Sequence, residues 1–265
     1  MIKDKNIVIT GASSGIGLET LKLLAKGKGN RILAVARNPE KLEGLASNVY
    51  PFKADVSSKE GVDAIFAKAV ELFGKIDLFY ANAGYPYYEL YDYVDWDRIE
   101  RIFNTNTLSP IYTYAKYLEH IGDGEGHLAM TISAMGQMAM PGYAIYGATK
   151  FGLEGFHEGI RLEMPKNLKL TCLYPVATAT NFFNVAADGK KVDKPFPVQK
   201  PSTVAKKMVK ALEKEKEIVF PCGLFLFAKV LMTAVPPVRS FYWGVERKKF
   251  ERFLLNTQNK VLKRK

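Results

Sequence analysis

Thr10-Gly11-Ala12-Ser13-Ser14-Gly15-Ile16-Gly17 decides how this 265-residue chain is read. It follows an apolar run at residues 6–10 and leads into an amphipathic stretch at 18–25, so it joins a strand to a helix. Glycines at such a joint permit a tight turn and let the backbone approach a pyrophosphate closely. The helix N-terminus that follows offers free N–H groups and the positive end of its dipole. The spacing is GxxxGxG rather than GxGxxG, and no Gly-Lys-Ser/Thr follows, which excludes a Walker-type phosphate loop. A plain strand–helix connection could also use glycines, so the surrounding pattern has to decide.

Outward from the turn, near-continuous apolar runs recur at residues 31–36, 48–52, 76–80, 127–133 and 168–174. Between them, residues 59–73, 97–118 and 146–163 have helical spacing. Strands covered on both faces and alternating with helices imply an α/β fold, a doubly wound Rossmann-type parallel sheet. After Tyr174 the alternation breaks. Residues 181–201 read as a long Pro/Lys/Asp-rich loop, 202–215 as a helix and 217–220 as a last short strand. The expected organisation is one catalytic domain, 1–220, with a hydrophobic and basic helical appendage, 221–265.

Composition narrows the function. Hydrophobic residues at 48% and charged residues at 25% exclude extensive disorder and collagen-like structure. Two cysteines, Cys172 and Cys222, cannot build a disulfide framework or a zinc cluster. His120, His127 and His157 lack metal-ligand spacing, so no metal is expected. With no room for a signal peptide before the first strand, the expected location is cytoplasmic. Residues 246–265 hold eight Lys/Arg and two Glu, so +6 of the net charge of +11 sits there. Such a tail can meet phosphate of nucleic acid or of lipid. Nucleic acid is disfavoured because interleaved base-stacking aromatics are missing.

The second strand ends Ala34-Val35-Ala36-Arg37-Asn38. An acidic residue there would bind an adenosine 2′-hydroxyl, whereas an arginine accommodates a 2′-phosphate. This pattern favours NADP(H) over NAD(H). Further along, Tyr146-Gly147-Ala148-Thr149-Lys150 puts a phenol and an ammonium on one helix face. A nearby cation favours the phenolate, so Tyr146 is expected to titrate below its usual value of about 10. That would make it a usable acid or base.

Together with Asn82-Ala83-Gly84 after the fourth strand, Asn106, and Ser133 thirteen residues before Tyr146, these motifs resemble the short-chain dehydrogenase/reductase family over residues 5–220. The resemblance implies hydride transfer between nicotinamide C4 and a substrate carbon. It implies that Tyr146 exchanges the proton with the substrate oxygen and that Ser133 hydrogen-bonds the same atom. Lys150 would hold the nicotinamide ribose and tune Tyr146, and Asn106 would anchor a water relay to Lys150. Gly11, Ser13, Ser14, Gly15, Ile16, Gly17, Arg37, Asp55, Val56, Asn82, Ala83, Gly84, Pro175, Val176, Thr178 and Thr180 would border the cofactor. Three positions depart from the family pattern: Ala81 precedes Asn82-Ala83-Gly84, Ala134 follows Ser133, and Val176 replaces the glycine after Pro175. The last adds a side chain beside the expected nicotinamide. A homodimer or homotetramer is the family expectation.

The segments that border substrate in this family are apolar here, with Tyr85, Met135, Met140, Tyr143, Phe182 and Phe183 as expected contacts. Such side chains make an adaptable apolar pocket, which implies a lipophilic ketone or secondary alcohol of steroid or long-chain acyl type. An NAD-dependent alcohol dehydrogenase of the same fold is one alternative. A non-enzymatic dinucleotide sensor or scaffold is another, though a sensor needs no acid at Tyr146. In the appendage, residues 224–235 are too few to span a bilayer, and Pro236-Pro237 follows. Phe250, Phe253 and Leu254 share one helix face, while Arg247, Lys248, Lys249 and Arg252 occupy the others. Peripheral contact of 224–265 with anionic lipid is therefore expected. Oligomer contacts would explain the same apolar residues.

Overall fold

A computed structural model describes residues 2–262. Lys263, Arg264 and Lys265 of the basic end lie outside the described residues, as does the side chain of Lys260. Strand β1 (Asn6–Thr10) is flanked by β2 (Arg31–Ala36) and β4 (Leu78–Ala81), with β3 (Val49–Lys53) outside β2. Beyond β4 come β5 (Gly126–Thr131), β6 (Leu168–Leu173) and β7 (Ile218–Val219). All seven strands are parallel in the order β3-β2-β1-β4-β5-β6-β7, a Rossmann-type sheet. The order reverses between β1 and β4, and the crevice beyond their carboxyl ends is where such sheets bind ligands.

The apolar runs make sense in this arrangement. Ile7 and Ile9 face one layer, with α1 (Gly15–Leu24) and α7 (Pro201–Glu213); Val8 faces the other, with α2 (Lys59–Phe73), α4 (Ser109–Ile121) and α5 (Ala144–Glu163). Both faces of each central strand are therefore dry. Local sequence sets the helix ends: the Ser58 hydroxyl accepts from Gly61 N at 3.0 Å to cap α2, and Gly74 ends that helix at φ 74°.

Two departures from the expected elements matter for the site. The helix expected at 97–118 is α3 (Trp96–Phe103) joined to α4 by one wide turn, Asn104–Leu108, in which Ser109 N donates to the Asn104 carbonyl. Such a π-bulge redirects side chains within an otherwise regular helix. The fifth strand stops at Thr131, so Ser133 stands at the start of a tight turn, Ala134–Gly136, rather than inside the sheet.

The C-terminal segment corrects the picture of an appendage. Helices α8 (Gly223–Ala234) and α9 (Pro236–Leu262) fold back onto the loop after Ser133. Lys229 donates to Gln137 Oε1 at 2.8 Å, and Trp243 donates to the Ala139 carbonyl at 2.9 Å. Phe250 and Phe253, expected to face lipid, are buried against Tyr88 with ring centroids 5.2 and 4.8 Å away. Leu254 packs against the same cluster. Apolar surface on the substrate-side loops takes this face of α9, because burial in protein removes it from water as well as lipid would.

Candidate active site

Gly11 and Gly15 adopt φ of +65° and +57°, the left-handed region that glycine enters without penalty. A Cβ on Gly17 would come within 2.2 Å of the Gly11 carbonyl and 2.6 Å of Asn82 Nδ2, so only glycine lets α1 begin this close to the turn. The turn is also tied across the switch point of the sheet. Thr10 Oγ1 accepts from the backbone N–H of Asn82 at 3.0 Å and of Ala83 at 3.1 Å, while Asn82 Nδ2 donates to the Thr10 carbonyl.

This turn forms one end of a cavity of about 300 Å3. Gly11, Ser14, Gly15, Ile16, Gly17, Arg37, Asn82 and Gly84 line it together with Tyr146, Ser133, Lys150, Pro175, Val176, Thr178 and Thr180, with Thr180 over Gly15 and Gly84 beside Lys150. Asp55, Val56 and Ala83 border a smaller adjoining pocket that Arg37 and Gly11 share. Ser13 borders neither space. The side chain of Val176 is accommodated against Ala134, Cys222 and Phe225. Backbone N–H groups at a helix start, a bare glycine surface and an arginine at one end fit a dinucleotide phosphate chain.

Ser133 stands beside the Tyr146 phenol, both side chains are buried, and the Ser133 hydroxyl accepts from Met135 N at 3.0 Å. Lys150, four residues along α5, donates to the Thr131 carbonyl at 3.0 Å, with Nζ 5.9 Å from the Tyr146 ring centroid. Burial pushes the Tyr146 phenol up to about 12, opposite to the lowering expected from Lys150; the neighbouring Ser133 hydroxyl pulls the other way but does not win. Lys150 itself is only 3% exposed, and desolvation brings its ammonium down to about 7. At neutral pH the site therefore presents a protonated phenol and a lysine near its midpoint. That is the state of a proton donor.

Asn106 does not border the cavity. Its amide donates to the Tyr85 carbonyl at 2.9 Å and to Thr149 Oγ1 at 3.1 Å, and its Oδ1 accepts from Tyr85 N at 3.0 Å. Placed by the π-bulge, it clamps the β4 loop to α5 and holds the floor on which Lys150 sits. Its Oδ1 and Lys150 Nζ flank the same glycine, Gly84, where an added Cβ would come within 3.1 and 3.7 Å of them.

Among the expected substrate contacts, Met135, Met140, Phe182 and Phe183 line the cavity, the last two on the short helix α6 (Phe182–Ala186). Tyr85 borders both the cavity and the adjoining pocket with Arg37, so it reaches towards the turn as well. Tyr143 is a correction: it is 2% exposed and stands behind the wall, packed on Tyr88 and Tyr146 at 4.7 and 6.2 Å. Phe196, Phe225 and Tyr242 line the cavity too, although nothing local in their sequence marks them. On α5, Glu154, His157 and Glu158 place ligand atoms within 4.8 Å of one another, which the scattered histidines had not suggested. Glu154 there accepts from Gln137 and Tyr174, both at 2.6 Å.

A parallel sheet with a glycine turn at its switch point and a buried Ser-Tyr-Lys set defines a dinucleotide-dependent oxidoreductase. Residues 5–191 match the family model of the short chain dehydrogenases, and the chain belongs to that family. It is 33% identical over 198 residues to an uncharacterized oxidoreductase of Listeria monocytogenes serovar 1/2a, covering 71% of this chain and 79% of that one. To estradiol 17-beta-dehydrogenase 11 of Macaca fascicularis it is 27% identical over 241 residues, 87% of this chain and 79% of that one. The structure of an alcohol dehydrogenase from Thermococcus sibiricus, complexed with 5-hydroxy-NADP, superposes with a TM-score of 0.70. It is 26% identical, covering 80% of this chain and 94% of that chain.

Proposed function

We propose that this oxidoreductase is an NADP(H)-dependent reductase of lipophilic ketones, run in reverse on the matching secondary alcohols. The observation that carries the reading is that the buried Ser133 and Tyr146 hydroxyls line the same cavity as the glycine turn, Arg37 and an apolar wall. When bound, the nicotinamide supplies or accepts the hydride. The first-turn N–H groups at Gly15, Ile16 and Gly17 would hold the pyrophosphate, Arg37 the 2′-phosphate and Lys150 the ribose hydroxyls. Ser133 orients the substrate oxygen, and Tyr146 gives up its proton as that oxygen gains charge. Met135, Met140, Phe182 and Phe183 supply contact area without hydrogen-bonding groups, which suits a steroid or long-chain acyl skeleton better than a sugar. The secondary alcohol in the name of the Macaca relative is of that class.

Loss of NADPH absorbance with a series of ketones of rising hydrophobicity tests this directly. Turnover should climb with apolar area and exceed that with NADH. Preference for hydrophilic aldoses, or no turnover with any carbonyl compound, would reject it. Arg37→Ala should weaken NADPH by about 10- to 100-fold, the worth of one charge-assisted contact, and leave NADH little changed. Equal losses for both would make Arg37 structural.

The pH profile follows from the raised phenol. Reduction needs the protonated phenol, which persists well above neutrality, so a fall in its rate between about pH 7 and 10 reports loss of the Lys150 proton near 7 and not of the Tyr146 proton. Oxidation needs the phenolate and should gain up to about 10-fold for each pH unit over the same range. Initial rates in both directions check this, and an oxidation rate that stops rising above about pH 8 would mean that Tyr146 itself titrates near neutrality.

A further inference from the structure

Helix α8 is apolar on both sides. Phe225 and Lys229 face the domain, the first lining the cavity and the second bonded to Gln137. The opposite side leaves Phe227 and Val230 exposed by 68% and 69%, and across the Pro236-Pro237 corner Phe241 is exposed by 76%. A helix apolar all round belongs in a core or against something equally dry. Here one side is bare.

The same two helices also reach the mouth of the cavity. Tyr242 lines the cavity, sits next to Phe241, and donates to the Phe196 carbonyl at 3.5 Å. Phe196 lines the cavity as well and is 71% exposed. Charge around this rim has one sign. Residues 189–200 and 223–249 together carry nine Lys/Arg against Asp193 and Glu246. Glu246 is buried and bonded to Lys249, and Asp193 lies 3.7 Å from Arg252.

We infer that this rim, from Phe196 across Phe227, Val230 and Phe241, seats on an anionic lipid surface with the cavity mouth turned towards it. Apolar side chains would enter the acyl boundary while the surrounding lysines and arginines meet lipid phosphate. No single described helix is long and apolar enough to cross a bilayer; α8 and α9 are long and apolar enough only together, are bent by 118° at their junction, and α9 lays Phe250 and Phe253 against the domain. A second copy of the chain fits less well, since a two-fold contact would bring both sets of cations together without acids to meet them. Delivery of substrate from the bilayer rests on the lipophilic-substrate reading. Docking does not.

Co-sedimentation of the full chain with vesicles tests the docking without turnover. Binding should be at least about tenfold stronger to phosphatidylcholine carrying about a quarter phosphatidylserine than to phosphatidylcholine alone, and should weaken with salt. Phe227→Glu with Val230→Glu should lower it roughly tenfold or more, because charges replace the inserting groups. The same double variant should keep its elution volume and its rate on a water-soluble ketone. Absence of vesicle binding, equal binding by the double variant, or a dimer that the variant converts to monomer would overturn the inference. Vesicle binding together with preference for hydrophilic carbonyl compounds would support docking and reject the substrate reading alone.

Discussion

Tyr146→Phe is expected to lower turnover by about 10^3-fold while leaving dinucleotide affinity within about a factor of two. The substitution deletes one hydroxyl and keeps the ring, which is held edge-on by Phe182 at 5.4 Å and Tyr143 at 6.2 Å. Its shape and the wall around it are therefore preserved. What disappears is the proton donor, and among the described residues Ser133 is the hydroxyl left beside it. A serine hydroxyl can orient an oxygen but gives up its proton far less readily than a phenol, so the alkoxide formed by hydride addition would have to take its proton from water. Steady-state kcat with the best ketone, set beside fluorescence titration with NADPH, separates the two effects. A variant that kept near-normal kcat would remove Tyr146 from the chemistry. A variant that lost affinity in proportion would make it a binding residue.

How much of this was legible beforehand depended on sequence distance. The doubly wound sheet could be read because each strand is dry on both faces, a property of five or six consecutive residues. The glycine turn was legible for the same reason, and Tyr146 and Lys150 fall on one face of α5 by helical geometry alone. Properties fixed by long-range packing were not visible. The direction in which Tyr146 titrates reverses once its burial is known, because desolvation outweighs a cation turned towards the Thr131 carbonyl. Phe250, Phe253 and Leu254 make a clear amphipathic face, but periodicity says only that such a face is buried, not whether protein or lipid covers it. Tyr143 sits between Ser133 and Tyr146 in sequence yet behind the wall in space. Phe225 and Tyr242 reach the cavity from a segment that follows the last strand, and no local pattern carries that information.

Lys150 joins the readable and the unreadable halves, and it carries the second large effect: Lys150→Met should abolish turnover and raise the stability of the protein. Unfolded, this lysine binds its proton with a pKa of 10.5, whereas in the fold burial brings it to about 7. Between these values the unfolded chain holds more protons than the native one, so this group's contribution to stability rises with pH across that window. Below about pH 7 both states are protonated and the full cost of a buried ammonium is present; towards 10.5 it fades. At about 1.4 kcal/mol per decade of proton affinity that cost is on the order of 5 kcal/mol. Met has nearly the same length and no charge. The lost bond to the Thr131 carbonyl takes back about 1–2 kcal/mol, because that acceptor is then left without its donor. A net gain of ~3 kcal/mol corresponds to a rise in Tm of about 6–12 °C for a chain of this size. Thermal unfolding of both proteins at about pH 6 and about pH 10 should show the gain in the first condition and its near disappearance in the second. A variant less stable than the parent at the lower pH would mean that the ammonium is well compensated in the fold, and with it would go the view that this site trades stability for a cation held ready for the ribose.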